Sequence, residues 1–71
     1  MKSTLINIDK EILSGTPVFS GTRVPIQNLF DYLTGGETIE EFLDDFPSVT
    51  KALAIEVLQL AEDRLTPLFP P

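Results

Sequence analysis

The chain predicts a mainly α domain, three helices behind a short N-terminal β hairpin, and three observations carry that prediction. Apolar residues recur at helical spacing in three successive segments, each opened by Pro or Thr and closed by Gly or Pro. Ahead of them, GTPVFSGTRVPI from Gly15 to Ile26 spells a turn that hands over to a helix start. Finally, 71 residues suffice for one domain only.

A first strand is predicted over Thr4 to Ile8, where Leu5, Ile6 and Ile8 are β-prone, followed by a loop from Asp9 to Gly15. Val18-Phe19 and Thr22-Arg23-Val24 then read as two short strands around Ser20-Gly21, a two-residue loop that wants glycine for its positive φ. Pro25 is expected to open helix one, since its fixed φ suits a helix start and its missing N–H would be unpaired there. Ile26, Leu29, Phe30 and Leu33 form one stripe on that helix, and Gly35-Gly36 supplies a left-handed stop.

Helix two repeats the stripe with Ile39, Phe42, Leu43 and Phe46. Thr38 is its predicted N-cap, with Glu41 three residues on completing a capping box, and Pro47 ends it. Thr50 caps helix three. The expected bounds are hairpin 4–24, helices 25–34, 38–46 and 50–65, all one domain over 1–65, then an extended Pro-rich tail over 66–71. The short link between the last two helices fits a helix-turn-helix and an ordinary αα corner equally well. Helix three carries an unusually wide apolar face, with Ile55 in the middle of its polar strip. That width predicts extra burial against a second copy, a partner or the tail residues Leu68 and Phe69, although single surface isoleucines are also common.

Composition closes off much chemistry. The chain has no cysteine and no histidine, which excludes disulfides, thiol nucleophiles, zinc sites of Cys or His type and histidine acid/base catalysis. No catalytic residue, cofactor or metal is expected. No apolar run approaches a membrane span of about 20 residues, and charges interrupt the N-terminus where a signal peptide would be apolar, so a cytoplasmic protein is expected. Gly15 to Thr22 lacks the lysine of a phosphate-binding loop, and its glycines are explained as turn residues.

The net charge of −6 is uneven: residues 1–25 carry +1, 26–37 carry −2 and 38–65 carry −5. Glu40, Glu41, Asp44 and Asp45 stand on the polar side of helix two, as a solvated face, a contact for a basic partner or, least in keeping with their spacing, a magnesium site. Arg23 either pairs with a carboxylate of its own domain, Asp31 or Asp45, or projects toward a phosphate or an acidic partner. Lys2, Lys10, Arg23, Thr50 and Lys51 are the candidates for DNA contact, too few for strong autonomous binding. Candidates for a protein partner are Glu40, Glu41, Asp44, Asp45, Ile55, Leu68 and Phe69.

The run Gly15 to Ile26, then Gly35-Gly36, then Glu40-Glu41 through Asp45-Phe46-Pro47 and Ala52-Leu53, resembles the small prokaryotic family called domain of unknown function 433. The resemblance implies a homeodomain-like helix-turn-helix core and, for many members, an antitoxin encoded beside a PIN-like nuclease toxin. Helix three departs from the family in lacking tyrosines near its end and in its acidity, which weakens base-specific DNA reading. The expected function is therefore a non-enzymatic, antitoxin-like regulatory protein that pairs with a protein partner such as a toxin, forms a homo-oligomer such as a dimer, and binds DNA weakly. The alternative is a stand-alone helix-turn-helix repressor.

Overall fold

The computed structural model describes residues 5–66. Strand β1 (Ile6–Asn7) pairs antiparallel with β2 (Val18–Phe19), in the register Ile6 with Phe19 and Asn7 with Val18. Three helices follow, α1 (Ile26–Thr34), α2 (Ile39–Asp45) and α3 (Lys51–Leu65). The protein is thus mainly α behind a two-stranded hairpin, the class its sequence predicts.

Inside the hairpin the pairing differs from the expected one. The Ser20-Gly21 turn forms: Gly21 has φ 78° and the Thr22 N–H donates to the Phe19 carbonyl. However, Thr22 to Val24 makes no second strand: besides the turn bonds of Thr22 to Phe19, it meets β2 through the Phe19 N–H to Val24 carbonyl bond, and the next residue, Pro25, forms an isolated bridge with Val18. The reason is local. The Thr22 hydroxyl donates to the Phe19 carbonyl and accepts from the Val24 N–H, drawing that backbone into a turn instead of a ladder. β1 takes the free side of β2 instead.

The connection between the strands holds a tight turn over Leu13–Gly15 in which all three residues have positive φ, 48°, 57° and 88°. Glycine adopts such angles freely, but leucine and serine do so at a cost of about 1–2 kcal/mol each. Composition signals Gly15 as a turn residue and is silent on its two neighbours.

Pro25 sits just before α1 with extended angles, φ −61° and ψ 138°, and serves as its N-cap without a side-chain bond. Its fixed φ suits either role, and the bridge to Val18 holds ψ extended. At the other end the Gly36 N–H donates to the Leu33 carbonyl and the Glu37 N–H to the Tyr32 carbonyl, with Gly36 at φ 89°. This bond pair satisfies two carbonyls the helix end would leave free. Thr38 then opens α2 through a complete capping box with Glu41, and the Thr50 hydroxyl accepts from the Leu53 N–H to open α3. Thr66 keeps helical angles, φ −63° and ψ −31°, because its N–H still reaches the Glu62 carbonyl. The extended tail therefore cannot begin there, and its remainder, with Leu68 and Phe69, lies outside the described residues.

One core joins these elements. Phe19, Leu29, Phe42, Val49, Ala54 and Val57 are buried together, with Val24, Ile26, Leu33, Ile39, Leu43, Leu53 and Leu58 half-buried against them. Rings dominate its centre: Phe42 stands 5.8 Å from Phe19, 5.4 Å from Tyr32 and 5.0 Å from Phe46, measured between ring centroids. Edge-on and tilted pairs of this kind add about 0.5–1.5 kcal/mol each beyond their buried area. Val49, in the link between α2 and α3, plugs the same core and fixes that turn. From α3 the core takes Leu53, Ala54, Val57 and Leu58, all in its first half.

Candidate functional site

The described candidate residues fall mainly on two faces. The first is the polar side of α2 and its flanks. Glu40, Glu41, Asp44 and Asp45 are all exposed there, as the solvated-face reading requires. Three have internal duties. Glu41 accepts from the Thr38 backbone N–H and hydroxyl, both 3.1 Å away. Asp45 accepts from the Tyr32 hydroxyl across the α1–α2 junction, at 2.5 Å. Glu40 forms an ion pair with Lys51 Nζ at 3.2 Å, both side chains more than three-fifths exposed, a geometry worth less than about 1 kcal/mol. Asp44 makes no hydrogen bond or ion pair among the described residues.

The Tyr32 bond perturbs the phenol. Donating its proton to Asp45 pushes its pKa up to about 12 from the ordinary 10.0, with partial burial and the negative charges of Asp45, Glu37 and Glu41 acting the same way. Neither Tyr32 nor its bond is visible from helical periodicity, because Tyr32 lies off the stripe of α1 and its partner is 13 residues away.

The second face is the N-terminal layer. Lys10 and Arg23 are exposed, and neither forms an ion pair among the described residues. Arg23 does not pair with Asp31 or Asp45, as one reading of the sequence held: Asp31 accepts from the Gln27 amide at 3.0 Å and Asp45 from Tyr32. Beside it, the outward side of α1 meets β1 and the loop before β2 in an apolar cleft of about 330 Å³, lined by Ile6, Thr16, Pro17, Ile26, Gln27 and Phe30. Phe30, placed by its spacing in the core stripe of α1, lines this cleft. No motif signals the cleft, because its walls come from three separate segments.

The other candidates scatter. Thr50 is exposed and its oxygen is used as the cap of α3, while Ile55 is half-buried, not fully outward. Lys2 lies outside the described residues. Among the described residues no three of Asp and Glu gather where a metal could be held, and no helix is long and apolar enough to cross a membrane.

Residues 6–61 match the family described as a protein of unknown function, DUF433, and the chain belongs to that family. It is also 36% identical over 45 residues to an uncharacterized protein, y4eO, of Sinorhizobium fredii (strain NBRC 101917 / NGR234). That match covers 63% of this chain and 20% of the relative, so the chain spans about a fifth of the relative's length. No solved structure matches.

Proposed function

We propose that this chain is a non-enzymatic, antitoxin-like regulatory protein of the cytoplasm that associates with itself and binds a basic protein partner, such as a toxin, through the acidic face of α2. One observation carries the reading: Glu40, Glu41, Asp44 and Asp45 stand exposed on two adjacent turns, and Lys51 is the cation that meets them among the described residues. Like charges at i, i+4 repel, and a basic surface relieves that repulsion. The family resemblance supplies the antitoxin class, and the short link through Val49 suits a helix-turn-helix built from α2 and α3. In that arrangement Lys51 stands at the start of the recognition helix, yet it is paired with Glu40, and α2 would carry its acids toward the phosphates. DNA contact is accordingly weak, resting on Lys2, Lys10, Arg23, Thr50 and Lys51.

If the neighbouring reading frame encodes a basic protein, co-expression with that protein tests this. The partner is expected to co-purify with the wild type and to be lost with Glu40→Lys/Asp44→Lys. Absence of co-purification removes the antitoxin reading. A duplex from the chain's own upstream region shifted at physiological salt by the protein alone establishes the stand-alone repressor instead.

A further inference from the structure

Lys51 opens α3 at the end of that helix where a cation is least favoured. The first turn of a helix carries partial positive charge, and α3 has no acidic residue there to offset it. The offset comes from α2: Glu40, in the first turn of that helix, holds Lys51 Nζ at 3.2 Å. Among the described residues this is the one ion pair. The backbones beneath it are fixed, because Phe42, Val49 and Ala54 are buried together in the core. The two charged ends are not, since both side chains are more than three-fifths exposed, so each can change partner without disturbing the packing.

Resting on the reading that the chain contacts both DNA and a basic partner, we propose that this pair is an autoinhibitory latch, in which Glu40 stands in for a phosphate on the leading cation of α3. In a helix-turn-helix the start of the second helix meets the DNA, so a carboxylate held there competes with phosphate oxygens for the same ammonium. Glu40 is the carboxylate of α2 placed for this. Glu41 is engaged by Thr38 and Asp45 by Tyr32, whereas Asp44 makes no hydrogen bond or ion pair among the described residues. A partner's cation that draws Glu40 away releases Lys51, and a phosphate on Lys51 releases Glu40, so each binding favours the other by the same factor. An exposed pair limits that factor to about fivefold.

Glu40 lies outside the capping box of α2, so Glu40→Gln is expected to fold with an unchanged far-UV circular dichroism spectrum. Binding of full chains to a labelled duplex from the chain's own upstream region is read by fluorescence anisotropy, from about 50 mM salt upward. Glu40→Gln is expected to bind about three- to fivefold tighter than the wild type, with a salt dependence steeper by about one counterion. Lys51→Gln is expected to weaken binding more in the Glu40→Gln background than in the wild type, because only there is the ammonium released. An equal gain from Glu40→Gln with and without Lys51 overturns the latch and assigns the gain to lost negative charge at large. No gain at all overturns it as well. Binding by neither the wild type nor Glu40→Gln overturns the DNA reading on which the latch rests, and the latch with it.

Discussion

Tyr32 shows how one side chain ties two helices together and gives the fold a pH limit. Its ring packs against Phe42 and Phe46 while its hydroxyl donates to Asp45, so α1 and the last turn of α2 share both an apolar contact and a charge-assisted bond. A phenol whose folded pKa is about 12 against an ordinary 10.0 favours the folded state only while it keeps its proton. The stabilisation is fully present below pH 10 and is lost as the pH rises through about 12. Denaturant midpoints of the wild type are expected to fall across that window, and the Tyr32→Phe variant, already less stable at neutral pH, is expected to lack that component of the fall. Because the chain has a single tyrosine and no tryptophan, phenolate absorbance reads the titration directly. Titration near the ordinary value would show that the bond to Asp45 does not hold in solution. At this scale the sequence says little, since a contact between Tyr32 and Asp45 exists only once the helices have packed.

Helix ends were far more legible than strand pairing, because caps are local and pairing is not. Thr38 with Glu41, Thr50 and Gly36 each act within about four residues of themselves and do in the structure what their chemistry predicts, whereas Gly35 ends α1 at φ −80° and the left-handed stop falls to Gly36 alone. Two-residue strands have no periodicity to read, so the choice of β1 over Thr22 to Val24 as the partner of β2 depended on a threonine hydroxyl and on a loop with two non-glycine residues at positive φ. The cleft, assembled from three segments, was illegible for the same reason. The stop of α1 gives a sharp test. A Cβ at Gly36 meets nothing within 4 Å, so Gly36→Ala changes conformational cost alone. It is expected to lower stability by about 1 kcal/mol in urea melts, and Gly36→Asn by less, because asparagine visits the left-handed region more readily. Thr38→Ala, which removes the cap of α2, is expected to cost about 1 kcal/mol. Equal and negligible losses in both helices would mean that packing, not capping, sets their ends.

The whole molecule rests on very little buried surface. Seven hydrophobic side chains are buried among the described residues, and no polar one is. At roughly 0.05–0.15 kcal/mol per residue, a domain of this length is stable by about 4–11 kcal/mol. Phe42 is where the loss of one side chain competes with that total. It is fully buried and its ring meets Phe19 from the hairpin, Tyr32 from α1 and Phe46 at the end of α2, so removing it separates all three layers from one another. A buried Phe→Ala change costs about 3–5 kcal/mol, comparable with the lower part of the stability range. Phe42→Ala is therefore expected to be largely unfolded at 25 °C by circular dichroism, whereas Phe42→Leu, which retains most of the volume, is expected to fold with a lowered denaturant midpoint. If the chain associates with itself, both midpoints are expected to rise with protein concentration, since association stabilises only folded chains. A folded, cooperative Phe42→Ala would place the centre of stability elsewhere, in the packing of Val49, Ala54 and Val57 between α3 and the rest.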